Sequence, residues 1–154
     1  MAMAYSSGYN MENLKLSLFR KQSQVDEAVI RAVEQGAQKI MEQARKNVPV
    51  DTHNLESAIH IKDRRTRRGN HAIDIEVSGI GVDGRDVSEY ALIIEEMYDY
   101  YVSNGIWQMG EKTKAKQAVS DTHVGSAYMR RAIEKCRPEV INDIRMAIKA
   151  AVVR

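Results

Sequence analysis

Hydrophobic positions repeat along this chain with two different periods, and the switches between them predict its elements. Over residues 24–47, Val25, Ala28, Val29, Ala32, Val33, Gly36, Ala37, Ile40, Met41 and Ala44 recur at i, i+3, i+4 and i+7, the spacing of one buried helix face. The stripe is narrow and built of small residues, so it predicts a partner packed very close. Gly36 lies within it although glycine costs about 1 kcal/mol against alanine in a helix interior, which points to close backbone approach. Pro49 ends the helix, because the residue before a proline is pushed out of helical geometry. After it, Asp51 or Thr52 can accept from a free backbone N–H and start a short turn of helix.

The period then changes to two. Ser57 to Lys62 reads as a strand, with Ala58, Ile59 and Ile61, and His71 to Ser78 as a second, with Ile73, Ile75 and Val77 alternating. Residues 63–70 between them form a hairpin connection with turn chemistry at Gly69-Asn70. Asp86 followed by Glu89 resembles a capping box. A helix from Val87 to about Tyr98 then places Tyr90, Ala91, Ile94 and Met97 or Tyr98 inward, while the apolar run Ala91-Leu92-Ile93-Ile94 also suits a strand. From Ser126 the helical period returns in Met129, Ile133, Cys136, Val140, Ile144, Ala147 and Ala151, with Pro138 marking a kink or the first turn of a second, abutting helix. The elements predict an α+β fold: a short antiparallel sheet with a long N-terminal helix and a C-terminal helix packed against it.

Two stretches lack a clean pattern. Residues 1–24 are expected to form an N-terminal arm, in which Leu14, Leu16, Leu18 and Phe19 make an apolar patch. That patch suits a strand, an arm docked on a neighbour, or simply the approach to the first helix. Residues 99–126 are polar and are expected to be a long loop of the single domain, residues 25–154, a length usually tied to function or to ordering by a partner. Trp107 stands out within it, either covering the domain's own core or anchoring a subunit contact, since tryptophan is enriched in binding hot spots.

Composition narrows the function classes. A chain of 154 residues with 44% hydrophobic content has the size and core of one compact domain. Net charge is +2, from 23 basic and 21 acidic residues, so no global field draws it to nucleic acid or a membrane. The charge is locally uneven: Lys62, Arg64, Arg65, Arg67 and Arg68 oppose only Asp63, whereas Asp86, Glu89, Glu95, Glu96 and Asp99 oppose only Arg85. Separate patches of opposite sign allow head-to-tail pairing of copies, and ordinary solvated surface would look the same. The lone Cys136 precludes an internal disulfide and reads as a buried small hydrophobe. No apolar run approaches the roughly 20 residues of a membrane span, and Met1 to Gly8 lack the features of a signal peptide, so synthesis in the cytoplasm is expected.

No catalytic constellation can be assembled from the residues. His53, His60, His71 and His123 lack metal-ligand spacing; His60 and His71 could meet across the hairpin, which is the only basis for a small metal-dependent hydrolase. Gly79-Ile80-Gly81 lacks the third glycine of a nucleotide fingerprint, and Glu95-Glu96 are adjacent and diverge on a helix. The expectation is no catalytic residue, no cofactor and no metal. A DNA-binding accessory protein is the alternative, using Arg64, Arg65, Arg67 and Arg68 on phosphates, although no aromatic platform accompanies them.

The order of three segments carries a resemblance. Ala44-Arg45-Lys46-Asn47-Val48-Pro49-Val50-Asp51-Thr52, with Leu55 and Ser57-Ala58-Ile59, is similar to the "A-x-x-x-x-P-V-D-T-G-x-L-x-x-S-I" signature of a family of phage tail components that includes neck, head–tail joining and tail-completion proteins. Tyr90-Ala91 with Glu95 resembles its "Y-A-x-x-x-E" segment, and Ala127-Tyr128-Met129-Arg130-Arg131-Ala132 its "P-F-L-R-P-A" segment. The chain departs from the pattern at His53, where the family has glycine, at Glu96-Met97 in place of Gly-Thr, and at Ala127-Tyr128 in place of Pro-Phe. The resemblance implies a structural virion protein forming a homo-oligomeric ring, a hexamer, at the neck or tail end. Its partners would be a head-side adaptor or connector and the tail tube or a tail terminator, with contact to DNA passing through the channel and none with a membrane. Pro49, Asp51 and Thr52 would form its structural turn. Subunit or partner contacts are expected at the arginines of 64–68, at Asp86, Glu89, Glu95, Glu96 and Asp99, and at Trp107.

Overall fold

The small-residue stripe of the first helix is matched by a second helix running antiparallel to it. The computed structural model describes residues 7–50, 54–67 and 70–153, with backbone alone for residues 7–10 and 63–67. In chain order the elements are α1 (Ser7–Asn47), α2 (Asn54–Ala58), the hairpin strands β1 (Ile59–Arg67) and β2 (Asn70–Val77), α3 (Val87–Ser103), α4 (Glu111–Val119) and α5 (Tyr128–Val153). The architecture is α+β, a two-stranded antiparallel sheet flanked by long N- and C-terminal helices.

Helix α1 starts at Ser7 rather than near residue 24. The apolar patch of the expected arm is therefore helical and continuous with the rest of α1. No glycine or proline occurs between Tyr9 and Gln35, and Leu, Lys, Arg, Gln and Glu, all good helix formers, dominate the stretch. Helix α1 pairs with α5 along its middle. A Cβ at Gly36 would stand 2.5 Å from Val140 Cγ1, which is the close approach that the glycine predicts. Lys39 bridges to Asp143 (2.8 Å) and Glu139 (2.5 Å). Lys21 Nζ reaches the carbonyl of Val152 (2.7 Å), so the last turn of α5 lies beside Lys21, and residues 7–20 run past it. Cys136 is buried against α1, as its apolar setting suggests.

At the other end of α1, the side chains of Met41, Ala44 and Val48 join Leu55, Ala58 and Ile59, Val87 and Ala91, and Tyr128 and Ala132 in one core. Val48 and Ile59 are fully buried, and truncating either to alanine would cost on the order of 1–5 kcal/mol. The hairpin pairs Ile59 with Val77 and Ile61 with Ile75, then shifts register at a bulge between Ile61 and Asp63. β1 extends to Arg67, so Arg64, Arg65 and Arg67 are strand residues, paired with Ile73, Ala72 and Asn70, and not part of a connection. His60 pairs with Glu76 and His71 with Thr66, so the two histidines do not face each other.

Segment 87–103 is helical, not a strand. The expected loop 99–126 also contains ordered helix: α3 continues to Ser103 and α4 occupies nine of its residues. Its order comes from polar bonds that apolar periodicity cannot reveal. Pro138 lies inside a continuous α5. No helix among the described residues is long and apolar enough to cross a membrane.

Candidate functional site

The three segments that carry the family resemblance converge on one junction below the core. Asn47, the last residue of α1, is almost wholly buried. Its Nδ2 donates to the carbonyl of Tyr128 (3.1 Å), and its Oδ1 accepts from Gln43 Nε2 (2.9 Å) and the Thr122 hydroxyl (2.8 Å). Tyr128 in turn donates to the carbonyl of Ala91 (3.4 Å). Burial, and after it the charge of Glu95, hold the Tyr128 phenol above its usual range, so it remains a donor.

Glu95 closes the junction. Its Oε2 and Oε1 accept from the backbone N–H groups of Met129 (3.0 Å) and Arg130 (3.2 Å). A helix N-terminus has four N–H groups without intrahelical partners and a partial positive charge, and this carboxylate answers both. Ala127, just ahead, has φ +55°. A proline, with φ held near −65°, cannot adopt that angle, so the backbone at Ala127 is closed to the proline of the segment it resembles.

The acidic residues thus divide by role. Glu95 caps α5, and Asp99 accepts from Ser126 N (3.2 Å) and His123 Nε2 (2.8 Å), tying α3 to the segment before α5. Asp86 is the N-cap of α3, accepting from Ser88 N (2.9 Å). The Ser88 hydroxyl and backbone N–H keep its carboxyl below the usual range. Glu89 and Glu96 alone of the five have exposed side chains with no cap or tie drawn to the rest of the fold. They flank Leu92 and Ile93, which are 62% and 42% exposed.

Trp107 packs on Tyr101 (centroids 4.7 Å apart) and on Tyr98 (6.2 Å) while remaining 38% exposed. It covers its own aromatic neighbours and also lines a groove of about 540 Å³ together with Pro49, Leu55, Tyr90 and Ile94. Pro49 is buried; Asp51 and Thr52 of the expected turn, and His53, lie outside the described residues. So do Arg68 and the side chains of Arg64, Arg65 and Arg67.

Two residues of the supposed loop escaped sequence reasoning. The Thr113 hydroxyl donates to the Val50 carbonyl (2.8 Å) and accepts its N–H (3.0 Å). Lys116 Nζ donates to the carbonyls of Arg45 and Val48 and to Glu56 (3.1 Å), placing a cation at the negative end of α1. The Lys114–Glu111 pair at i, i+3 was the available hint of helix. Among the described residues no group of three or more His, Cys, Asp or Glu is placed to hold a metal.

Compared with known families, residues 15–95 match the model described as "Bacteriophage HK97-gp10, putative tail-component". The match takes in α1 from Lys15, the Pro49-Val50-Asp51-Thr52 segment, the hairpin and α3 as far as Glu95, and stops short of Tyr128. No curated protein and no solved structure matches the chain.

Proposed function

Because this chain belongs to the HK97-gp10-like family of bacteriophage tail components, we propose that it is a structural rather than catalytic virion protein, assembling into a ring at the head–tail neck or the tail end. The observation that carries the ring is the exposed helical overhang of α1. Met11, Leu14, Leu16, Leu18 and Phe19 all stand largely in water there, Phe19 at 69% exposure. A lone subunit gains nothing from such a surface, and contiguous apolar patches on soluble chains mark sites of association.

A ring also fits the division of charge. Glu89 and Glu96 remain available on one face, and a closed ring needs unlike surfaces that meet between neighbours. Its partners would be the head-side adaptor or connector and the tail tube or terminator, and the expected stoichiometry is six. Native mass spectrometry of the purified chain, with imaging of the particles, tests this. A closed oligomer is expected; a chain that stays monomeric at every concentration and is missing from virions removes the proposal.

A further inference from the structure

We propose that the α1 overhang of one subunit docks on the outer face of α3 of a second copy, making the contact that closes the ring. This rests on the ring reading above and adds which surfaces meet.

The two surfaces are both helical stripes. On the overhang, Met11, Leu14, Lys15 and Leu18 follow i, i+3, i+4, i+7, and all are exposed. On α3, Glu89, Leu92, Ile93, Glu96 and Tyr100 follow i, i+3, i+4, i+7, i+11, and all are exposed. These are the spacings by which the ridges of one helix enter the grooves of another.

Their charges are opposite. Between Met11 and Lys21 the chain carries Lys15, Arg20 and Lys21 against Glu12 alone. Helix α3 contains no basic residue at all. Apolar residues thus face apolar residues, with Lys15 within the stripe on one side and Glu89 and Glu96 within the stripe on the other, while Arg20 lies on the far side of its helix. Charges of this kind fix register and partner rather than supplying most of the affinity.

Geometry forbids the contact within one subunit. α3 packs through Ala91 beside Ala44 and Val48, while Leu18 lies on the same straight helix some 26 residues earlier, about 40 Å away at 1.5 Å per residue. Unlike surfaces at opposite ends of a rigid subunit can each meet a different neighbour. That is a heterologous interface, which closes into a ring or continues as a filament. A reciprocal two-fold pair would instead satisfy both at once, and a wild-type chain that stops at a dimer would overturn the ring-closing contact.

Cross-linking tests it directly in the full chain. Leu18→Cys and Leu92→Cys, each combined with Cys136→Ala, are mixed and oxidised. A disulfide-linked dimer is expected in the mixture and not with either variant alone. As a second measurement, Lys15→Glu should raise the concentration needed for assembly on the order of 10-fold, and adding Glu89→Lys with Glu96→Lys in the same chain should restore it. These positions are exposed, so the unfolding temperature of the subunit should not change. Cross-linking of Leu18→Cys with itself would mean that overhang pairs with overhang, and would overturn the proposal. An assembled chain without the mixed cross-link overturns this interface while the ring reading stands. A wild-type chain that never assembles removes both.

Discussion

The two ends of α1 are built on opposite plans within one uninterrupted helix. At Asn47 every polar group is spoken for: the side chain holds Tyr128, Gln43 and Thr122, and Lys116 takes up carbonyls of the last turn. From Met11 to Arg20 no residue is buried at all. The closed end is an intramolecular knot that fixes how α1, α3 and α5 meet. The open end leaves apolar area unspent, and this contrast separates residues that matter for folding from those proposed to matter for assembly.

The contrast can be broken or sharpened by substitution. At the closed end Ile59→Ala should have the largest effect, on the order of 2–5 kcal/mol lost by denaturant titration; a loss below 1 would mean that the core relaxes around the void. Gly36→Ala, midway along, should destabilise by roughly 1–3 kcal/mol through overpacking, although alanine is the better helix former. Val140→Ala in the same chain should return part of that loss, and simple additivity of the two would contradict the close approach. Glu95→Ala should cost about 1–2 kcal/mol by uncapping α5, with Glu95→Gln milder, and hydrogen exchange should quicken first at Met129 and Arg130. At the open end, Leu14→Ala should leave subunit stability within about 0.5 kcal/mol while weakening assembly.

Acid provides the smallest and most selective probe. Asp86, Glu76 and Asp121 are held below the usual carboxyl range, chiefly by hydrogen bonds from Ser88, Lys62 and Lys135 respectively. Their folded pKa values are depressed, so the stability they supply is complete above about pH 5 and is lost as pH falls through about 4 and below. All three lie at the closed end or on the hairpin and links beside it, so acid should loosen that end first. Pulsed hydrogen exchange at pH 3.5 would show it, and equal loosening along the whole of α1 would contradict it.

Much of this was legible in the residues. Apolar period placed the middle of α1, both strands, the inward face of α3 and the C-terminal helix, and Gly36 announced its own tight contact. Three things were not legible, and two of them for one physical reason: their stability rests on polar bonds between residues far apart in sequence. Thr113 and Lys116 order α4 through Val50, Arg45 and Val48, and nothing in a polar run of five residues reveals such partners. Glu95 and Asp99 read as surface acids until the N-terminus of α5 and His123 are brought to them. The overhang was hidden because its hydrophobic residues have no helical partner in the chain, and so spread over too wide an arc to mark one buried face.

The knot at Asn47 has a consequence for that overhang. Starting a helix is the unfavourable step, with a nucleation constant near 10⁻³, and short isolated helices are marginal in water. Residues 11–20 need no nucleus of their own, because they propagate a helix already held in place further along. A docking segment presented in this way arrives at its partner with most of its backbone ordering done. The same ten residues on a flexible tether would bear the whole ordering cost on contact. Breaking the helix at Gln24 with proline would turn the one case into the other without touching a single contact residue.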